Sequence, residues 1–487
     1  MNAHAPDGTN HRFDFAAPLP ALADIRAAHL VAIGGSGMSG VARLLLDAGV
    51  TVSGSDRNDS PVLDELRAAG ADVRVGQTAE GGALVPDDAV VVVSSAIAED
   101  NPELAAVRAR GLQVLHRAQA LGVLMAGRAA LAVAGANGKT TTSAMAVVAL
   151  RAAGADPSFA MGAPIAGIGA NSGVGQGDSF VVEADESDGS FVVYRPQVAI
   201  VTSVRDDHLD FYGTSERLQQ AYAEFADTIR DGGLLVACAD DPGAAALAVR
   251  HRELGRRVVT YGRTADADLR LADESGSGFD WSATLLPASG GSVPLRLKVP
   301  GAHNLQNATG VALAMTEGFG IPLEQAVAGL GEFTGSARRL EPRGEAGGVR
   351  VIDDYAHNPD KLDAAVRAGL GLRDGGRLIT VFQPHLYSRT QHAATGLAAA
   401  LSLSDVAIVL DVYPAREAPV PGVTGALIAD RVTGADVVYA PALDEALEAV
   451  LDRVRPGDLV ITAGAGDITT LGPRLLTALE LVGRRPE

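Results

Sequence analysis

The sequence predicts an α/β protein of three domains, each a mostly parallel sheet with flanking helices. Three observations predict this fold. The chain has 487 residues, and at roughly 100–200 residues per domain this length suggests about three domains. Short valine, isoleucine and alanine runs alternate with helical stretches, which is typical of parallel sheets covered by helices. The alternation begins again twice along the chain. We therefore predict domains at residues 1–125, 126–332 and 333–487.

The first predicted domain is Rossmann-like and begins with a loose tail over residues 1–20, which are polar and contain proline. Its buried strands and the helices between them are read from apolar runs. The strands are Leu30–Ile33, Val50–Val52 and Val90–Val93, and the helices are Val41–Ala48 and Val62–Ala69.

The second predicted domain is of the P-loop type. A strand at Ala130–Ala134 leads through a glycine turn into a helix at Thr141–Ala153, and further strands lie at Phe180–Val182 and Val198–Val201. Residues 263–300 are rich in glycine and serine around Trp281, and we interpret them as a small antiparallel patch rather than a domain.

The third predicted domain is again Rossmann-like. Its strands are read from five apolar runs at Val349–Ile352, Leu378–Phe382, Val406–Leu410, Val437–Tyr439 and Leu459–Thr462. The chemical motifs of all three domains directly follow predicted strands, where open parallel sheets bind their ligands.

Composition excludes several classes of protein. The formal net charge of −19 argues against nucleic-acid binding, which needs a basic surface. No run of 18 apolar residues is present, so we expect no membrane span. Without a secretory signal pattern, and with Cys238 as the one cysteine, we expect a cytoplasmic protein without disulfides. Oligomeric state is left as monomer or homodimer.

A glycine motif follows the first strand and opens a helix. Gly35, Gly37 and Gly40 match the pattern G-x-G-x-x-G, with Asp56 about 20 residues further on. Glycines at these positions let the backbone approach a diphosphate at a helix N-terminus. The motif leaves open whether the ligand is NAD or a UDP-sugar, and a plain tight turn is the structural alternative.

A second glycine loop lies between the Ala130–Ala134 strand and the next helix. It reads Gly135-Ala-Asn137-Gly138-Lys139-Thr140-Thr141 and is shorter than a strict P-loop, because Val133 occupies the first glycine position. Its amides would cradle phosphates, Lys139 would neutralise the β- and γ-phosphate charge, and Thr140 would offer a hydroxyl to Mg²⁺. Lysine occurs only three times in the chain, which makes its presence here informative.

Acidic and histidine residues follow the next two strands. Glu183 directly follows a buried run, where P-loop domains place a metal ligand, and the later acids Asp185 and Glu186 are interpreted as a solvated loop. His208 is a second metal ligand or a phosphate contact, with a structural histidine as the alternative.

Further candidates lie later in the chain. Asn304 is interpreted either as a helix N-cap or as a contact to adenine or ribose. Arg338, Arg339, His357, His385 and Arg389 suit recognition of carboxylate and phosphate, with ion pairs across a domain interface as the alternative.

Taken together and in this order, the motifs resemble the ATP-dependent Mur ligases of peptidoglycan synthesis. The resemblance covers about Leu30 to Leu476, and its most specific stretches are Ile33–Val41, Ser94–Leu104, Glu183–Val192, Val381–Gln391 and Asp411–Ala426. It is nearest to the branch that joins L-alanine to the carboxylate of UDP-N-acetylmuramate through an acyl phosphate. It implies ATP and Mg²⁺ as cofactors and small molecules as the partners.

The resemblance also implies a role for each motif. The first domain would bind the UDP-sugar through Gly35, Ser36, Gly37, Met38, Ser39, Gly40 and Asp56, with Ser94 and Ser95 near the muramoyl carboxylate. ATP would contact Gly135, Asn137, Gly138, Lys139, Thr140, Thr141, Asn304, Arg339 and Asp354, and the metal ligands would be Thr140, Glu183 and His208. His357, His385 and Arg389 match the region that receives the amino acid, and with Lys139 they form the predicted catalytic set.

Three departures from the family pattern bear on the substrate. Ala136 and Asn137 replace the usual Thr-His of the L-alanine branch, Asn358 replaces a histidine, and Leu386 stands where many relatives have arginine. Two other functions stay open on the motifs alone. An NAD-dependent oxidoreductase would use only the first glycine motif, and a nucleotide-dependent switch would bind ATP without forming an amide.

Overall fold

The computed structural model describes residues 6–415 and 417–483. They form two compact units. One contains the chain up to Asp273 with Ala283–Arg296 and Leu305–Phe333, and the other contains Glu274–Ser282, Leu297–Asn304 and the chain from Thr334. The first unit carries the first of the three mostly parallel sheets and most of the second, and the second unit carries the third. The predicted fold class is thereby confirmed.

The first sheet is entirely parallel, with strand order 3-2-1-4-5. Its strands are β1 (Ala27–Val31), β2 (Thr51–Asp56), β3 (Asp72–Val75), β4 (Ala89–Val93) and β5 (Val114–His116), and its helices are α1 (Ser36–Asp47), α2 (Pro61–Ala68), α3 (Ala79–Ala83), α4 (Pro102–Ala109) and α5 (Arg117–Met125). The order reverses between β1 and β4, and such a switch point leaves a crevice at the carboxyl ends of the strands.

The second sheet has ten strands. They are β6 (Ala129–Ala134), β7 (Ser158–Ala160), β8 (Ser172–Gly173), β9 (Ser179–Glu183), β10 (Val198–Val201), β11 (Leu234–Cys238), β12 (Arg257–Gly262), β13 (Leu269–Ser277), β14 (Asp280–Pro287) and β15 (Val293–Leu297). The helices of this part are α6 (Lys139–Ala152), α7 (Leu209–Tyr212), α8 (Ser215–Asp227), α9 (Pro242–Glu253), α10 (Ala302–Phe319) and α11 (Leu323–Leu330). The order is 15-14-13-12-11-10-6-9-7-8, so β6 lies between β9 and β10.

The glycine- and serine-rich stretch 263–300 contributes to this sheet. Strand β13 pairs in parallel with β12, and β14 follows it after the two residues Gly278 and Phe279, a connection that only an antiparallel hairpin allows. The predicted patch is therefore an extension of the central sheet.

The third sheet has strand order 16-17-21-18-19-20. Its strands are β16 (Glu341–Ala346), β17 (Val349–Asp354), β18 (Leu378–Gln383), β19 (Val406–Val409), β20 (Asp436–Tyr439) and β21 (Leu459–Gly464), with α12 (Pro359–Leu372), α13 (Tyr387–Leu401), α14 (Ala426–Ala429), α15 (Leu443–Leu451) and α16 (Leu471–Gly483). Only the β16–β17 pairing is antiparallel.

The N-terminal segment predicted as a loose tail has specific contacts where the structure describes it. Arg12 donates to Glu99 (2.7 Å) and to the Ser95 carbonyl (3.1 Å). Phe13 is buried, and Gln119 donates to the Asp14 carbonyl (3.0 Å). The segment lacks regular structure but is anchored, so the tail prediction is wrong for these residues. Residues 1–5 lie outside the described part of the chain.

Within residues 6–415 and 417–483, no helix combines the length and the hydrophobicity that a membrane span requires.

Candidate active site

The first glycine motif lies at the switch point of the first sheet. Gly35 precedes α1 as its N-cap, and Ser36–Gly40 form the first turns of the helix. Asp56 ends β2 and accepts a hydrogen bond from the Gly34 amide (2.8 Å), which fixes the loop. Ser94 and Ser95 follow β4, the neighbour of β1 across the switch point. The predicted sugar-nucleotide residues are therefore brought to one crevice.

Ser95 also contacts the central domain. Its hydroxyl donates to the Asp188 carboxylate and lies 3.1 Å from His116 Nε2, which is itself 3.3 Å from Asp188. Burial alone would raise the pKa of Asp188, but the hydrogen bond and charge of His116 outweigh it and hold the pKa well below its usual range. Sequence reasoning missed His116, and it placed Asp188 only in the acidic stretch after Glu183, without a partner.

The second glycine loop joins β6 to α6 in a conformation that its glycines make possible. Gly135 has φ +140° and Gly138 has φ +83°, in the region that glycine favours. A Cβ on Gly138 would lie 2.9 Å from the Asn307 side chain. Thr202, which follows β10, donates to the Asn137 carbonyl (2.5 Å), and Ser203 Oγ accepts from the Asn137 amide (3.2 Å). Strand β10 therefore braces the loop from one side.

Lys139 and Thr140 are the first residues of α6, followed by Thr141. The Lys139 ammonium donates to both oxygens of Glu186 (2.9 and 2.7 Å) and to the Gly135 carbonyl (2.8 Å). Burial alone would lower the pKa of Lys139, but the carboxylates of Glu186 and Asp185 outweigh burial and raise it. Lys139 is thus held as a cation at the mouth of the loop.

The interpretation of the acids after β9 as a solvated loop is wrong for Glu186, whereas the Asp185 side chain is 44% exposed. Glu186 is only 1% exposed, and Tyr212 donates to its backbone carbonyl (2.6 Å). Burial alone would raise the pKa of Asp185, but the charges of Lys139 and His208 outweigh it and lower the pKa. Glu186 is therefore a partner of the loop lysine that sequence reasoning missed.

The predicted metal ligands form two neighbouring groups. Thr140 Oγ1 donates to Glu183 Oε1 (2.9 Å), and Glu183 Oε2 accepts from the Gly162 amide (2.7 Å). His208 lies instead with Asp185 and Glu186, and ligand atoms of these three lie within 4.8 Å of one another. His208 adopts φ +55° just before α7. Carboxylate and hydroxyl oxygens are the donors that Mg²⁺ prefers, so Glu183 and Thr140 fit that ion, whereas His208 would contribute a ring nitrogen.

Asn304 is not a helix cap. Helix α10 begins at Ala302, and the buried Asn304 side chain donates to the Pro300 carbonyl (2.7 Å) from inside the helix. The N-cap explanation is therefore wrong, and the ATP contact stays a prediction.

The second compact unit places arginines around an aromatic ring at the end of β17. The guanidinium carbons of Arg338 and Arg339 lie 4.9 and 5.1 Å from the ring centroid of Tyr355. Asp354 accepts from the amides of Leu340 and Ala356 (both 2.8 Å). Burial raises the pKa of Asp354 to about 6, although Arg339 and these amides lower it. Arg338 pairs with Asp353 of the same unit (3.2 Å), so an interface between domains is not needed to explain it.

His357 and His385 lie in one aromatic cluster in this unit. Their ring centroids are 6.2 Å apart, and His385 stacks on Tyr413 at 6.0 Å. His357 Nδ1 is 2.9 Å from the Tyr355 carbonyl. Arg389 lies in the first turn of α13, which follows β18. The predicted amino-acid residues thus gather at the carboxyl ends of β17 and β18, together with Tyr413, which sequence reasoning did not single out.

One of the sequence departures has a local structural explanation, and a second lies at a buried position. Asn358 is the N-cap of α12, and its side chain accepts from the Lys361 amide (2.9 Å). Leu386 is buried and adopts φ +68° immediately before α13.

This combination defines a class of protein. The architecture is that of a nucleotide-dependent group-transfer enzyme. Its three features are a sheet with a switch-point crevice, a glycine loop with a lysine beside oxygen donors, and a third sheet with arginines and histidines at its strand ends.

The family is shown by sequence comparison. Three family models match: "Mur ligase family, catalytic domain" over residues 27–129, "Mur ligase middle domain" over 133–315 and "Mur ligase, glutamate ligase domain" over 338–466. The chain therefore belongs to the Mur ligase family.

Similar proteins cover nearly the whole chain. The UDP-N-acetylmuramate–L-alanine ligase of Kineococcus radiotolerans is 51% identical and covers 95% of this chain and 98% of its own. The ligase of the same name from Renibacterium salmoninarum is 48% identical, with 94% and 97% covered. Among solved structures, UDP-N-acetylmuramate-alanine ligase of Thermotoga maritima has a TM-score of 0.79 at 28% identity, covering 94% of this chain and 99% of that one.

Proposed function

We propose that this protein joins the carboxylate of UDP-N-acetylmuramate to the amino group of L-alanine with ATP, in the cytoplasm, as a step of peptidoglycan precursor synthesis. The observation that carries the proposal is Lys139 at the start of α6, only 12% exposed and 2.7 Å from Glu186, with Thr140 bonded to Glu183 alongside. The likeness to ligases of that name at 51% and 48% identity supports the choice of substrates.

ATP is assigned to the second glycine loop and to residues further along the chain. We assign its phosphates to the loop from Gly135 to Thr141, and its nucleoside to Asn304, Arg339 and Asp354. Mg²⁺ is assigned to Thr140, Glu183 and His208, and it would neutralise phosphate charge when bound. The acidic and hydroxyl oxygens beside Lys139 favour this assignment.

The chemistry explains why ATP is needed. A carboxylate does not react with an amine, because the leaving group would be oxide. In the first step a bond forms between a carboxylate oxygen and the γ-phosphorus, and the bond to the bridging oxygen breaks, so that ADP leaves. The amino group then attacks the carbonyl carbon of the acyl phosphate, inorganic phosphate leaves, and the nitrogen loses a proton. Lys139 reduces the repulsion between the carboxylate and the phosphate in the first step.

The sugar nucleotide is assigned to the crevice of the first sheet, with its diphosphate on Ser36–Gly40, Asp56 at the loop and Ser94 and Ser95 near the carboxylate. L-Alanine is assigned to His357, His385 and Arg389. We propose domain boundaries near 125 and 333, and a monomer or homodimer without nucleic-acid or membrane partners.

The test is phosphate release from Mg-ATP with UDP-N-acetylmuramate and single amino acids. We expect release only when both the sugar nucleotide and L-alanine are present, together with an amide product of the correct mass. Release with another amino acid, or only with a UDP-muramoyl dipeptide, would move the chain to another branch of the family. No release under any combination would refute ligase activity.

A further inference from the structure

A pocket beside the first glycine motif contains an arginine that makes no ion pair among the described residues. The pocket lies within the first compact unit. It is lined by Ser36, Gly37 and Gly40 of α1, by Arg117 at the start of α5, and by central-domain residues that include Ser172 and Glu183. The structure gives the Arg117 guanidinium no hydrogen bond within residues 6–415 and 417–483, and its Nε atom is buried without a partner.

Arg117 lies unusually close to the glycine loop. A Cβ built on Gly37 would be 2.1 Å from Arg117 Nη1 and 3.2 Å from its Cζ. The first hydrogen bond within α1 runs from Ser39 to Gly35, so the amides before it point out of the helix end. A cation beside the positive end of a helix is unfavourable unless an anion lies there too. This arrangement therefore calls for an anionic ligand.

A second, independent group points to the same place. The Ser172 hydroxyl is buried without a hydrogen-bond partner, and the residue is 5% exposed. It would lie 2.9 Å from a Cβ on Gly40, one turn along α1. A buried hydroxyl without a partner costs free energy unless a ligand or water satisfies it.

Within the described part of the chain, the neighbouring carboxylates of Glu183 and Asp185 form no ion pair with Arg117. Both oxygens of Glu183 accept hydrogen bonds, from Thr140 (2.9 Å) and from the Gly162 amide (2.7 Å). Asp185 lies 4.0 Å from the Lys139 ammonium. The charge of Arg117 contributes to the lowered pKa of Asp185, which lines the same pocket, but the structure gives the two side chains no ion pair among the described residues.

We propose that Arg117 binds the diphosphate of the sugar nucleotide together with the amides of α1 and the Ser172 hydroxyl. This inference rests on the proposed function. It also assigns a second role to Gly37, whose missing side chain leaves room for the guanidinium. The diphosphate is favoured over the muramoyl carboxylate because the guanidinium lies against the glycine loop itself.

The test is the affinity of the full-length protein for two sugar nucleotides, measured by calorimetry. UDP-N-acetylglucosamine carries the diphosphate without the lactyl carboxylate, and UDP-N-acetylmuramate carries both. Arg117→Ala is expected to weaken both on the order of 10- to 100-fold, and Arg117→Lys less. The matched control is Arg108→Ala, since Arg108 is a half-exposed arginine of the same domain that pairs with Glu99 (3.0 Å). Its affinities should stay within about twofold of the wild type.

Other outcomes contradict the inference. If only UDP-N-acetylmuramate binds more weakly, Arg117 serves the carboxylate, and if neither does, it serves no substrate. Mg-ATP binding by each variant checks that it is folded, and Arg117→Gln replaces the alanine variant if that one does not fold. Failure of the proposed function is recognised separately, because the wild-type protein would then not bind UDP-N-acetylmuramate.

The role of Gly37 gives a further measurement. Gly37→Ala should weaken binding strongly in the wild type but much less in the Arg117→Ala background, since the clash with the guanidinium is then gone. Equal losses in the two backgrounds would mean that Gly37 acts on the diphosphate without Arg117.

Discussion

Single charged groups determine the chemistry that this protein can perform. Lys139 is one of three lysines in the chain, and it is the one that the structure places in the β6–α6 loop with Glu186 and Asp185 as its counter-charges. Incoming phosphates would compete with these carboxylates for the ammonium. The carboxylates keep the lysine protonated and in place until phosphates displace them from the ammonium.

We expect Lys139→Ala to abolish ligation, because phosphoryl transfer from ATP loses its positive charge. The affinity for the sugar nucleotide should change by no more than about threefold, because we assign no hydrogen bond between Lys139 and that substrate. Phosphate release and calorimetry measure the two effects. Lys298→Ala is the matched control, because Lys298 is an exposed lysine. Near-normal turnover by Lys139→Ala would remove the loop from the ATP site.

Asp354 should make stability depend on pH. Its pKa is raised to about 6 in the folded protein from an ordinary value of 3.8, so the folded state binds the proton more tightly. The stabilisation from this group is therefore present below pH 3.8 and is lost as the pH rises through 6. Relative to Asp354→Asn, the wild type should be about 1 kcal/mol less stable at pH 7.5 than at pH 5.

Unfolding of both proteins at the two pH values measures this difference. Asparagine has only one side-chain oxygen, so one of the two backbone amides loses its acceptor in the variant. This loss lowers the stability of the variant equally at both pH values and therefore does not affect the comparison. A difference that is independent of pH would contradict the raised pKa.

Loops between strands and helices position the site, and glycines in these loops adopt backbone conformations that other residues disfavour. Gly138 has φ +83°, and a side chain there would also meet Asn307 at 2.9 Å. Gly154, at the end of α6, has nearly the same φ of +80° but open space around it. Comparing alanine variants of the two glycines therefore distinguishes the effect of backbone strain from the effect of disturbing the phosphate loop.

We expect Gly138→Ala to raise the KM for ATP on the order of tenfold and to cost about 1–3 kcal/mol of stability. Gly154→Ala should also lower stability, because alanine is strained at this positive φ. It should leave the KM for ATP unchanged, because Gly154 lies away from the loop. Steady-state kinetics and thermal unfolding of both variants measure this. Equal effects on KM would mean that the β6–α6 loop does not hold ATP.

The sequence predicted most strands and helices that consist of buried apolar runs. It missed short strands that are recognised only from their hydrogen bonds to a neighbouring strand. The run Val198–Val201 coincides with β10, whereas β7 and β8 have three and two residues and carry too little pattern to be recognised. The loop lysine and Glu183 were found because they belong to motifs with fixed spacing. Glu186, Arg117 and Tyr413 were missed, because their significance comes from contacts between segments far apart in the chain.

At the scale of the whole molecule, three sheets form two compact units. The first sheet and most of the second share one unit, in which the N-terminal segment contacts a loop after β4 and helix α7: Arg12 donates to Glu99, and the Gly8 amide donates to the Phe211 carbonyl (2.9 Å). The contact of Ser95 and His116 with Asp188 ties the same domains together. We therefore expect the domains of the first and second sheets to unfold together.

Calorimetric unfolding is therefore expected to contain two transitions rather than three. UDP-N-acetylmuramate should raise the midpoint of the transition that belongs to the first unit, because ligands stabilise the state that binds them. Arg12→Ala should lower that same midpoint. Three separate transitions would show that the first two domains unfold independently.

The central claim is that ATP activates the carboxylate of the sugar nucleotide. It is tested most directly with UDP-N-acetylmuramate labelled with ¹⁸O in its lactyl carboxylate, turned over with Mg-ATP and L-alanine. We expect the released inorganic phosphate to carry one oxygen from the carboxylate, because the carbon–oxygen bond breaks when the amine displaces phosphate. Unlabelled phosphate formed together with the amide would contradict an acyl phosphate and with it the assigned role of the β6–α6 loop.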